Sequence, residues 1–154
     1  MTERLKLQFL PSGLIAATTR VAAVTQNFNK YRELIVTWDI TAAERDSADE
    51  TYDLYITTGD GVSSWDLIHF PQIATTGAKR YVAKINADVI PQTVASNGTS
   101  TNEGILLVSS TNAIETLAAG SVRHGVWGSR IGYSLVIAGT VVTGINSSVQ
   151  IEAR

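Results

Sequence analysis

From Tyr31 to Thr41 the chain reads YRELIVTWDIT, with Leu34, Val36, Trp38 and Ile40 on one side of a two-residue period and Glu33, Thr37 and Asp39 on the other. Such a period over this length dictates an extended strand with one apolar face, because successive strand side chains point to opposite sides. The alternation returns in ETYDLYITT, where Tyr52, Leu54 and Ile56 oppose Asp53, Tyr55 and Thr57. GDGVSS then turns the chain into WDLIHF, and Asp60-Gly61 tolerates the positive φ that tight or bulged hairpin turns need. The spacing predicts a β-hairpin between these two segments.

Further strands are predicted at RLKLQF, RVAAVTQNF, KRYVAKIN, GILLVSS, VRHGVWG, RIGYSLVIAG and SVQIEA, each short and bounded by Gly, Pro, Asn or Ser. About ten short strands leave no room for crossover helices, so the class is all-β, an antiparallel β-sandwich or barrel. Two loop segments carry helical signals. TAAERD offers Thr41 as N-cap with Glu44 three residues on, and NAIETLAAG offers Asn112 with Glu115 and then Gly120 to stop it, so one or two short helical turns are expected in loops. The 154 residues fit one domain, 1–154.

Composition narrows the functions. A net charge of -2, with Lys79-Arg80 as the longest basic cluster, provides no field for a phosphate backbone, so nucleic acid is not expected as a partner. With no cysteine there are no disulfides, thiolate metal sites or cysteine nucleophiles. No segment approaches the roughly 18 apolar residues of a membrane span, and MTERLKLQFLPSGL does not read as a signal peptide. Folding in a cytoplasm, without membrane contact, is the expectation.

Catalysis has few candidates. His69 and His124 are the only histidines, and neither stands in a nucleophile-elbow or metal-ligand pattern, so both are read as structural. Alternation makes Asp39, Asp53 and Asp66 solvent-facing counterparts of the apolar set, which solubility explains. The acidic stretch from Glu44 to Glu50 lacks the spacing and glycine of a calcium loop. The expectation is a protein that is not an enzyme and uses no cofactor or metal. Trp38 and Tyr52 share the faces of Leu and Ile and belong in a core. Tyr55 lies on the opposite face and Trp65 begins its strand beside the turn, making them the candidate exposed aromatics. Side by side, they would suit a carbohydrate- or receptor-binding module.

TWDIT, AAERDSADETYDLYI, TTGDGVSSWDLIHFPQI, TGAKRYVAKI and the closing SLVIAGTVVTGINSSVQIEA together resemble the capsid cement or decoration proteins of tailed bacteriophages, over most of residues 31 to 151. The resemblance implies a jelly-roll-like sandwich made in the host bacterial cytoplasm and carried on the outer surface of the capsid. There it would bind the major capsid protein as a homo-dimer or trimer; another head or tail component of the virion would fit the same likeness. Candidate partner contacts are Glu44, Asp46, Asp49 and Glu50 in the acidic loop, and Asn97, Asn102 and Glu103 in the long loop that starts at Asp88, with Met1 to Pro11 as a candidate arm.

Overall fold

A computed structural model describes residues 4–25, 27–87, 93–96, 99–102, 115, 117–124 and 127–154. The strands are β1 (Leu5–Ile15), β2 (Thr19–Thr25), β3 (Glu33–Ala43), β4 (Thr51–Gly59), β5 (Ser64–His69), β6 (Lys79–Asn86), β7 (Thr93–Ser96), β8 (Thr99–Asn102), β9 (Ser121–Val122), β10 (Arg130–Ala138) and β11 (Ile145–Ala153). A four-stranded sheet has the order β1-β11-β3-β6 and a five-stranded sheet the order β2-β10-β4-β5-β9, all pairs antiparallel. The two sheets pack face to face as a β-sandwich. β7 and β8 form a separate hairpin.

The alternating segments supply the two inner faces. Leu34, Val36, Trp38 and Ile40 from β3 meet Tyr52, Leu54 and Ile56 from β4, joined by Tyr133 and Leu135 from β10 and Val149 and Ile151 from β11. Trp38 is fully buried, with the rings of Phe70 and Tyr81 at centroid distances of 5.7 and 6.1 Å. In a chain without disulfides such rings carry much of the stability, each contributing on the order of 2–3 kcal/mol by burial.

The hairpin forms where the sequence predicts it. Asp60 Oδ1 accepts from the Val62 and Ser63 amides at 2.8 and 2.7 Å, and Gly61 takes φ +99. Other expectations need correction. TAAERD is not helical: Thr41 to Ala43 continue β3 because β11 pairs with them, Ala42 opposite Asn146 and Ala43 opposite Ile145. In NAIETLAAG the described Glu115 has φ 64, which a right-handed helix does not contain. The only helical turn among the described residues is a 3-10 turn at Phe28–Lys30. The candidate arm is sheet from Leu5 onward, and β1 runs through Pro11 where its register with β11 slips between Leu10 and Gly13. An edge strand tolerates such a break. Within the long loop, β7 and β8 pair with Ser96 opposite Thr99. GILLVSS, Asn97 and Glu103 lie outside the described residues.

Candidate functional site

Among the described residues, the largest group of buried polar side chains lies on the outer face of the five-stranded sheet. Asp53 and Tyr55 come from β4, Asp66 and His69 from β5 and Ser134 from β10, each at most 9% exposed. Strict alternation would put Asp66 and His69 on opposite faces. A bulge prevents this: Ile56 pairs with Ile68 but Thr57 pairs with Asp66, leaving Leu67 without a partner. The extra residue turns both polar side chains outward together.

A segment far along the chain covers this face. Asp66 accepts the Glu115 amide at 2.9 Å through one oxygen and the Leu117 amide at 3.1 Å through the other. His69 Nδ1 lies 2.6 Å from the Leu117 carbonyl oxygen and Nε2 lies 2.8 Å from Asp53 Oδ1, so both ring nitrogens stand within hydrogen-bond distance of a partner. Gln72 donates to the other Asp53 oxygen at 2.8 Å. The Gly120 amide donates to the His69 carbonyl at 2.8 Å, the Arg123 amide to the Leu67 carbonyl at 2.8 Å, and Arg123 Nη1 to the Asp66 carbonyl at 2.9 Å. Glu115 reaches back across the sheet to Arg20, 2.8 Å away through its second oxygen, and accepts from the Ser134 hydroxyl. Four strands, Glu115 and residues 117–123 are thus tied by one polar clamp.

Burial opposes the charge of Asp53, but the hydrogen bonds from His69 and Gln72 outweigh it and hold the carboxyl below the usual range. Arg20 does the same for Glu115, against burial and with help from Ser134. Burial, reinforced by the charges of Asp53, Asp66 and Glu115, pushes the Tyr55 phenol up to about 12. Burial lowers Arg123, with Asp66 acting in the opposite direction.

The two aromatics expected on the surface are buried, each 8% exposed. Tyr55 does face outward, yet the clamp covers it and its ring stacks on His69 at 3.9 Å. Trp65 stands opposite Thr58 beside the turn, on the side of the sheet away from the clamp. The solvent-facing reading of Asp53 and Asp66 is corrected in the same way: they are 9% and 0% exposed, their charges balanced by hydrogen bonds rather than water.

The clamp does not assemble hydrolytic machinery. Ser134 is opposite Tyr55 and Tyr55 opposite His69, which separates the hydroxyl from the imidazole by two strand spacings, roughly 9–10 Å. The Ser134 hydroxyl is bound to Glu115, and both His69 nitrogens are committed. His124 Nδ1 accepts the Asn86 amide at 3.1 Å. Among the described residues no three His, Asp or Glu side chains are grouped to hold a metal ion.

The acidic loop is a second constellation, and its carboxylates bind backbone. Asp46 accepts the Val142 and Thr143 amides at 2.9 and 2.7 Å, which holds its carboxyl below the usual range and latches the β3–β4 loop to the β10–β11 loop. Gly139, at φ +87, lets the two loops touch, since a Cβ there would stand 2.6 Å from the Asp49 carbonyl oxygen. The Asp49 carboxyl is held low by the Ser47 hydroxyl. Glu50, expected as a partner contact, is 0% exposed; it accepts the Asp46 amide at 2.6 Å and contacts the Tyr52 hydroxyl, so it shapes the loop from within. Burial, with Glu50 beside it, pushes the Tyr52 phenol up. Glu44, Asp46 and Asp49 remain exposed, and Asn102 closes β8.

Sequence reasoning missed Arg20, Gln72, Glu115, Arg123 and Ser134 as members of the clamp. A usable signal was present in WDLIHF, where one acid and one histidine stand among four large apolar residues. Ionisable groups in so apolar a strand are seldom left to solvent. Compared with known proteins, the chain matches no family model, no curated protein and no solved structure.

Proposed function

We propose that this is a non-enzymatic structural protein of a tailed-bacteriophage virion, a cement protein that binds the major capsid protein on the outer surface of the head and braces neighbouring subunits. The observation that carries the reading is the strand order. With β7, β8 and the two-residue β9 set aside, eight strands remain, and renumbered in chain order they run 1-8-3-6 in one sheet and 2-7-4-5 in the other. This order supports a jelly roll, a double-sheet fold used by viral capsid and lectin domains. Between those two uses, the burial of Tyr55 and Trp65 favours the capsid role, because stacking on sugars needs exposed rings.

Fold alone does not assign function. The likeness of residues 31 to 151 to phage cement proteins adds the partner, and the internal engagement of the ionisable groups adds the absence of chemistry from the role. A brace needs a stiff body and presented loops, and the clamp and the latch supply stiffness. Acting as a small homo-oligomer at symmetry-related positions, modest contacts sum through multivalency. Co-sedimentation with DNA-filled phage heads stripped of the protein tests the reading. Saturable binding that restores head survival on heating is expected; heads that neither bind the protein nor gain heat resistance would contradict it.

A further inference from the structure

We propose that the outer edge of β6 is a docking site for an extended segment of a partner protein in which apolar and acidic side chains alternate. β6 ends the four-stranded sheet, and no described residue pairs with its outer edge from Arg80 to Ile85. Beside it the facing sheet ends in the two residues of β9. The sandwich therefore opens here into a cleft of about 350 Å³ lined by Phe70, Pro71, Tyr81, Ala83 and Val122, with Lys84 and Val82 at its rim. Tyr81 and Phe70 continue into the aromatic group around Trp38, with ring centroids 6.4 Å apart. An added strand would form backbone hydrogen bonds to β6 and drop every second side chain into this cleft.

Charge selects the occupant. The chain carries a net charge of -2, yet β6 itself holds Lys79, Arg80 and Lys84 and no acid. On the outer face Lys84 pairs with Glu33 and Arg80 stands opposite Asp39, while Arg154 pairs with Glu152 and Glu33. Lys84 keeps 60% of its side chain exposed while paired to Glu33, and Val82 is 64% exposed. A second copy is a poor occupant. Antiparallel self-pairing about Val82 would set Arg80 opposite Lys84 twice, and like charges directly opposite destabilise a strand pair. An acidic strand meets no such repulsion, and its carboxylates gain the same bases. The inference concerns this edge alone and stands whether or not the partner is a capsid protein.

The test titrates the full chain with the synthetic peptide Ac-EVEVEVE-amide and its lysine counterpart Ac-KVKVKVK-amide, reading affinity and backbone amide protection by NMR. The acidic peptide is expected to bind about tenfold tighter or more, equivalent to about 1.4 kcal/mol, and to protect amides between Lys79 and Ile85. The double variant Arg80→Glu, Lys84→Glu should reverse the preference. Ala83→Leu, which fills the cleft, should weaken the acidic peptide about tenfold; were it to unfold, the charge-reversal pair at exposed positions decides alone. Equal affinity for the two peptides, no binding, or protection along β1 instead would overturn the proposal.

Discussion

Along β3 burial alternates residue by residue, whereas along β4 every residue from Tyr52 to Gly59 is buried. Both strands lie near the middle of their sheets, and both carry polar residues on the outer face. The outer face of the four-stranded sheet is open, with Thr37, Gln8 and Gln150 lining a shallow surface groove. The outer face of the five-stranded sheet is covered by Glu115 and residues 117–123. What differs is the partner each polar group has. Thr37 and Gln150 line an open groove, while Asp53, Asp66 and His69 use backbone and each other. Covering a sheet face with polar groups costs several kcal/mol unless each finds a partner, and here the covering segment supplies those partners.

The contrast is broken most strongly at Asp66. Asp66→Ala leaves the Glu115 and Leu117 amides without their carboxylate, and a loss of about 3–5 kcal/mol in urea unfolding is expected. A loss under about 1 kcal/mol would mean that the segment is held by something other than this carboxylate.

Acid gives an intermediate effect. Asp53 and Glu115 have carboxyls held below their ordinary values in the folded protein. Groups with depressed folded values stabilise above the unfolded carboxylate pKa of about 4 and lose that contribution as pH falls through the folded values. The melting temperature should therefore drop below about pH 4, and Asp53→Asn should shrink the drop while lowering stability at pH 6. An acid profile unchanged by that substitution would detach Asp53 from the clamp. The smallest effect belongs to the open face: Thr37→Ala should change stability by no more than about 0.5 kcal/mol in the same urea assay.

The same contrast explains what was legible in the sequence. Alternation reports which face is apolar, and so the inner faces of β3 and β4, the Asp60-Gly61 hairpin and the all-β class could be read directly. It does not report whether the polar face meets water. That depended on a bulge at Leu67 and on a segment about 50 residues further along, neither marked by local periodicity. Nor does alternation report that Trp65, beside the turn, is buried. In the acidic loop the charges were visible but their targets were not, because the amides of Val142 and Thr143 lie 96 and 97 residues away. The helical signal in TAAERD lost to pairing with β11, an instance of tertiary contacts overriding a cap motif. Nothing in the local pattern of KRYVAKIN announced that it would end a sheet beside an apolar cleft.

Hydrogen exchange of the unaltered protein reads the clamp at the amides of Leu117, Gly120 and Arg123. They donate to the Asp66 carboxylate and to the His69 and Leu67 carbonyls. Exchange as slow as that of the β4 amides is the predicted result. Exchange at the rate of an exposed loop would contradict the clamp, and with it the stiff, covered face of the five-stranded sheet.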